Sequence, residues 1–176
     1  MVYQDQIMIK ISVAIITLNE GKNIKRCIDS VRSIADEVVV VDSLSTDNTK
    51  EICLKNNVKF IEQDFLGHIE QKNFAIEQCT HDYILSLDAD EALDDKLISQ
   101  ISNIKKNFSA DAYSFNRLTQ YVDKWIYNCG WYPDKKTRLF KKSHAHWGGV
   151  NPHDIIIMKE NSKVIEQSEL NLFRYA

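Results

Sequence analysis

Short runs of β-branched and aliphatic residues alternate along this chain with segments whose apolar positions recur at helical spacing. Ile11-Ser12-Val13-Ala14-Ile15-Ile16-Thr17 reads as a buried strand, short and mostly apolar. After Leu18-Asn19-Glu20-Gly21, the positions Ile24, Cys27, Ile28 and Val31 fall at i, i+3, i+4 and i+7, one face of a helix. Val38-Val39-Val40-Val41 is a second apolar strand ending in Asp42, and Ser43 to Thr49 is dense in turn and N-cap residues. A short helix through Ile52 and Leu54, a strand Val58 to Ile61 and a helix around Ile69 to Gln78 follow. Then come an apolar strand from Tyr83 to Asp88 and a helix with Leu97, Ile98, Ile101 and Ile104 on one face. Strands alternating with helices predict an α/β fold, a mostly parallel central sheet flanked by helices. Near-continuous apolar strands fit burial on both faces.

The pattern changes near Asp111. Ala112 to Leu118 alternates like a half-exposed strand, and the stretch from Tyr121 to Gly149 holds Trp125, Trp131 and Trp147 with several tyrosines and basic residues. This predicts a mixed β and loop half packed onto the first. No repeat, low-complexity tract or Pro/Gly/Ser-rich linker interrupts the chain. A single domain over 1–176 is expected, with halves 1–110 and 111–176. The end, Phe173-Arg174-Tyr175-Ala176, has no clear terminating element, so the chain is expected to be cut short of a C-terminal extension.

Composition narrows the function classes. The 176 residues are 44% hydrophobic and 27% charged, ordinary for a globular chain. A net charge of −3 offers no electrostatic footprint for nucleic acid. No apolar run approaches the roughly 20 residues of a membrane-spanning helix. Met1 to Gln6 lacks the basic and apolar regions of a secretory leader, so the cytoplasm is the expected compartment. Cys27, Cys53, Cys79 and Cys129 form no CxxC pair and read as buried or incidental thiols rather than a disulfide framework.

The candidate chemistry sits where Tyr83-Ile84-Leu85-Ser86-Leu87 runs into Asp88-Ala89-Asp90-Glu91. Ionised carboxylates are costly to bury, so they should emerge at the strand's C-terminal edge, where open α/β sheets bind ligands. Asp88 and Asp90, two residues apart, point to the same side of an extended chain. Such a pair is a foothold for Mg²⁺ or Mn²⁺ that completes its shell with waters and substrate phosphates. Glu91 suits the capping of the next helix. The phosphate-cradling GxGxxG and GxxxxGK[ST] motifs are absent.

Four segments in order carry a resemblance: Ser12 to Glu20; Glu37 to Ser43 with Ser45-Thr46-Asp47-Asn48-Thr49; Gln71-Lys72-Asn73-Phe74-Ala75; and Leu87 to Glu91. Together they resemble an inverting nucleotide-sugar glycosyltransferase of family 2, with the GT-A fold and its D-x-D motif. Gly130-Trp131-Tyr132-Pro133-Asp134, Arg138-Leu139-Phe140 and Pro152-His153-Asp154 are similar to the lipopolysaccharide core branch, which carries Val-His-Glu where this chain has Pro-His-Asp. The resemblance implies a metal-dependent hexosyl- or heptosyltransferase that takes a sugar from a nucleoside diphosphate donor to a lipid-linked core oligosaccharide or related glycan. Thr17, Asn19 and Glu20 are then expected to line the nucleotide pocket and Asp42 to bond base or ribose. Lys72 is expected to reach the diphosphate or donor sugar. Asp88 is expected on ribose or metal, and Asp90 on a divalent Mn²⁺ or Mg²⁺.

Asp154 is the implied general base, although a free Asp, with a pKa near ~3.9, is a weak one. His153 is implied as its neighbour on metal or phosphate. Arg138 is expected on donor phosphate or an anionic acceptor, and Trp131 and Tyr132 against a sugar face. The basic stretch Lys135 to Lys142 could face anionic lipid at the cytoplasmic surface of the inner membrane. Two other classes remain open: a sugar nucleotidyltransferase, which usually has a Gly-rich basic loop after the first strand, and a non-catalytic nucleotide-sugar-binding module.

Overall fold

The apolar runs become parallel strands with their C-terminal ends side by side. The computed structural model describes residues 8–175; Met1 to Gln6, read as lacking a leader, and Ala176 lie outside them. Strand β1 (Ile11–Thr17) leads through α1 (Ile24–Val31) to β2 (Glu37–Asp42), then through α2 (Thr49–Lys55) to β3 (Lys59–Glu62). Helix α3 (His68–Glu77) returns the chain to β4 (Tyr83–Asp88) on the other side of β1. Thr17 pairs with Asp42 and Ile16 with Asp88, which aligns the polar strand ends along one edge. The chain reverses its direction of travel between β1 and β4, the place where such sheets open a crevice. Alternate residues of β1 serve two cores: Val13 and Ile15 pack with the buried face of α1, and Ala14 packs beneath α3. Ile24, Cys27, Ile28 and Val31 are all buried, as their spacing predicts. Each fully buried aliphatic side chain of this kind contributes roughly 1.5–3 kcal/mol.

The second half does not stack on the first but extends the same sheet. After the short β5 (Glu91–Leu93) and α4 (Asp95–Lys106) come β6 (Ala112–Tyr121), β7 (Lys124–Trp125), β8 (Asp134–Lys141), β9 (Ala145–Val150), β10 (His153–Met158) and β11 (Val164–Tyr175). The main sheet runs β3-β2-β1-β4-β8-β6-β11-β5, with β7 on β6. It is therefore mixed: parallel from β3 to β4 and between β6 and β11, antiparallel at β4–β8, β8–β6, β6–β7 and β11–β5. Strand β6, expected to be half exposed, is almost wholly buried. Several of its polar groups find partners inside the fold: Ser114 bonds Thr137, and the Asn116 amide nitrogen donates to the Ser168 carbonyl and the Tyr132 hydroxyl, while its oxygen is buried without a partner. Glu91 is not the cap of α4; Asp94 is, accepting from the Leu97 N–H at 2.8 Å. Strands β9 and β10 form a separate two-stranded ribbon, fastened to α3 by Asn73, whose side chain bonds both the N–H and the carbonyl of Trp147.

Among the described residues no helix is long and apolar enough to cross a membrane. Cys27, Cys53 and Cys79 are buried free thiols, Cys129 is exposed, and burial pushes the Cys53 and Cys79 thiols up to about 12.

Candidate active site

The strand ends, the start of α3, the β9–β10 ribbon and the last residues of β11 surround a cavity of about 730 Å³, within the size range of small-molecule sites. Thr17 and Glu20 line it from β1 and the loop after it, Lys72 from α3, Asp88 and Asp90 from β4 and its exit, Arg138 from β8, and His153 and Asp154 from β10. Eight of the sequence-predicted residues thus meet in one space.

Lys72 is where the two sides join. Its stem is carried by a helix that packs on the sheet, so the side chain is only 4% exposed. Its ammonium lies 3.0 Å from Asp88 Oδ1 and 2.7 Å from Asp154 Oδ2. The Trp147 ring lies beneath, with Lys72 Nζ 4.3 Å from its centroid and the Arg138 guanidinium 5.4 Å from it, both within cation–π range. Trp147 is held in turn by its indole N–H, which donates to Ser86 Oγ at 3.2 Å. Lys72, expected on the diphosphate or donor sugar, lines the cavity and bridges two carboxylates.

Arg138 also lines the cavity, and its Nε and Nη1 are buried without a hydrogen-bond partner. It is 2% exposed, and one of its nitrogens is shared between Glu91 Oε1 at 2.6 Å and Asp88 Oδ2 at 3.3 Å. Burial pushes the Asp88 carboxyl up, but the adjacent Arg138 and Lys72 more than offset it and hold the group well below the usual carboxylate range. Burial raises the Glu91 carboxyl above its ordinary value against the pull of Arg138. Burial, and the nearby Asp90 charge, also raise Glu20, against the hydrogen bond donated by Asn23.

Asp90 is bound differently. Its Oδ2 accepts from Arg174 Nε of β11 at 2.9 Å, while Oδ1 is buried without a hydrogen-bond partner. Thr17 Oγ1 is buried and unpartnered in the same way. Unsatisfied buried oxygens are uncommon, and these two line the cavity, where a ligand's donor or a cation can satisfy them. Among the described residues no three His, Cys, Asp or Glu side chains are grouped closely enough to cage an ion. The residues fit a foothold on Asp90 Oδ1 that leaves most of a cation's shell to phosphate and water oxygens.

Four expected contacts lie outside the cavity lining. The Asp42 carboxylate is occupied locally by the N–H of Ser45 at 2.7 Å and its hydroxyl at 2.5 Å. Asn19, in the left-handed region at φ 54°, accepts from the Thr46 N–H and donates its own N–H to Ser45 Oγ, so it zips the β1–α1 loop to the β2–α2 loop. The Tyr132 hydroxyl accepts from Asn116 and donates to Asn171, and Trp131 packs edge-on against Tyr121. The basic stretch is not a free cationic face: Lys135 pairs with Glu166, Lys136 with Asp134 and Lys141 with Asp111, and Lys142 donates to the Cys79 carbonyl. Sequence reasoning missed Arg117, Arg174, Trp147 and the buried position of Glu91. Their meaning comes from partners remote in sequence; Glu91 closes the Leu87 to Glu91 segment, but nothing local marks its burial.

Residues 12–162 match the family described as Glycosyl transferase family 2. An uncharacterized glycosyltransferase of Rickettsia conorii is 36% identical over 158 residues, 86% of this chain and 56% of the relative. The lipopolysaccharide core biosynthesis glycosyltransferase LpsC of Rhizobium meliloti is 38% identical over 92 residues, 49% of this chain and 34% of its own length. The chain spans about half the length of the first of these relatives. Among solved structures, S. aureus TarS 1-349 in complex with UDP aligns with a TM-score of 0.66 at 16% identity, over 96% of this chain and 61% of that one. Glucosyl-3-phosphoglycerate synthase from Mycobacterium tuberculosis, in complex with Mg²⁺ and UDP, aligns with a TM-score of 0.52 at 19% identity, over 64% and 44%. At these identities the two structures speak for the fold.

Proposed function

The chain belongs to glycosyl transferase family 2 and has the GT-A fold, and from that premise we propose that it moves a sugar, with inversion, from a nucleoside diphosphate-sugar donor to a glycan or lipid-linked acceptor such as a lipopolysaccharide core. The observation that carries this reading is the Lys72 clamp, which holds a donor-side carboxylate, Asp88, and a candidate base, Asp154, against one cavity. In the proposed arrangement residues 1–110 bind the donor, and residues 111–176 supply the acceptor side and the base.

Thr17 and Glu20 receive the nucleoside part, and Asp88 the ribose. Asp90, with Asp88 beside it, holds a divalent Mn²⁺ or Mg²⁺, which when bound offsets negative charge on the leaving diphosphate. Asp154 accepts the proton of the acceptor hydroxyl as that oxygen bonds to the anomeric carbon. The bond to the diphosphate breaks on the opposite face, so one displacement inverts the centre. Lys72 keeps Asp154 within hydrogen-bond reach of the acceptor, a geometric condition that precedes any question of basicity. His153, exposed at the rim of the cavity, contacts the acceptor or a phosphate. The donor chemistry belongs to the cytoplasm, at the inner surface of the membrane that presents the acceptor.

A thermal-shift panel of nucleoside diphosphates and nucleotide-sugars, with and without Mn²⁺, tests the donor half. A ligand that binds only the folded state raises its apparent stability. UDP leads the panel because both solved structures described above contain it. Incubation of the best donor with acceptor should release nucleoside diphosphate. Release of pyrophosphate from a nucleoside triphosphate would instead make the chain a nucleotidyltransferase, and donor binding without any turnover would make it a binding module.

A further inference from the structure

Glu91 is 1% exposed, does not line the cavity and so has no route to substrate. Yet its carboxylate holds two parts of the donor floor at once. Oε2 accepts the backbone N–H of Asp88 at 3.0 Å, and Oε1 lies 2.6 Å from Arg138 Nη2, the same nitrogen that stands 3.3 Å from Asp88 Oδ2. The shorter of the two contacts is the one to Glu91. Arg138 is thereby drawn away from full engagement with Asp88. On its other side the Trp147 ring limits where the guanidinium can go. Arg117 Nη1, 3.9 Å from Glu91 Oε1, approaches the same carboxylate from β6.

We infer that Glu91 is a positioning residue for Asp88, acting through Arg138: it competes for the guanidinium and so keeps the Asp88 carboxylate turned to the donor. The inference rests on the proposed donor site. An arginine nitrogen shared between two carboxylates moves toward whichever charge is left when the other is removed. Neutralising Glu91 therefore sends Arg138 onto Asp88 and closes that carboxylate to ligand, while neutralising both members of the pair releases Asp88 again.

The test is isothermal titration of the whole chain with UDP, and then with GDP, ADP and CDP, in Mn²⁺ and in its absence. The proteins are wild type, Glu91→Gln, Arg138→Gln and the double variant. Glu91→Gln should weaken nucleotide binding by about 10–100-fold, the range seen when a group that orients a binding-site ligand is lost. The double variant should bind more tightly than Glu91→Gln alone, a coupling that two independent defects cannot produce. Stoichiometry separates positioning from structure, because a purely structural lesion lowers the number of competent sites and leaves their affinity unchanged. If Glu91→Gln does not fold, Arg138→Lys replaces it. That change keeps the charge but lacks the planar fork that reaches two carboxylates, and it should give wild-type stoichiometry with weakened affinity. Unchanged affinity in the folded single variant, or single effects that simply multiply in the double, overturns the inference. A wild type that binds none of the four nucleotides overturns the donor reading itself, and this inference with it.

Discussion

Replacing Lys72 by Met keeps the stem over Trp147 but removes the charge that Asp88 and Asp154 share. Asp88 retains Arg138; Asp154 loses the cation nearest to it. Breaking a buried pair in this way costs about 3 kcal/mol, so the chemical-denaturation midpoint should fall clearly and kcat should fall with it. A variant of wild-type stability would mean that the clamp contributes nothing. Asp90→Asn makes the opposite kind of change. Its partner Arg174 is 39% exposed and can turn to water, so the fold should survive. Turnover in Mn²⁺ should drop by roughly 100-fold or more if Asp90 carries the cation. Turnover at the wild-type rate would remove Asp90 from the metal site. Much of this residue set was legible in the sequence, because Asp88, Asp90, Lys72 and Asp154 sit in recognisable motifs. Asp42 and Asn19 are less legible, because short polar side chains at strand ends serve loops as readily as ligands; in this structure they bond Ser45 and Thr46.

The element that decides whether Asp154 is in place is the β9–β10 ribbon. Gly149 is paired directly with Asp154 and has φ of 101°, and a Cβ there would come within 2.9 Å of the His153 carbonyl oxygen. Gly149→Ala should therefore cost about 1–3 kcal/mol in backbone strain and shift the strand that carries Asp154, the proposed base. Steady-state kinetics should show a lower kcat with little change in the donor KM, since Asp88 and Asp90, the proposed donor-side carboxylates, sit on β4 and its exit rather than on the ribbon. A rise in donor KM at constant kcat would argue that the ribbon serves the donor instead. Elements of the first half could be read from sequence because each buries its own apolar face, with period 2 or 3.6. The second half resisted because β6, β8 and β11 are defined by one another. Ser114 and the Asn116 amide nitrogen, two of the positions that made β6 look half exposed, bond Thr137, Tyr132 and Ser168, which no local window contains.

At the scale of the whole molecule, acid should act on the ties between elements. Burial pushes Asp36 and Glu37 up, but hydrogen bonds from Lys105 and the Ile11 N–H, and from Ser12 and Thr80, leave both below their ordinary values of 3.8 and 4.5. Asp111 is lowered by the Lys163 N–H and by Lys141. For such groups the stabilisation is complete above the unfolded value and disappears as pH falls through the folded one, because the unfolded chain takes up the protons first. The contribution of these ties to the melting temperature should therefore be constant down to about pH 4.5 and be lost below it. Glu37→Gln should flatten part of that loss, and an unchanged acid limb in the variant would discount these ties. Strand β11 has a consequence of another kind. It is inserted between β6 and β5, both made earlier, and it brings Arg174 to Asp90. While the chain is being synthesised, the motif at Asp88 to Glu91 therefore emerges some eighty residues before its floor can close. The order of translation keeps the cavity unfinished until the chain has reached Arg174.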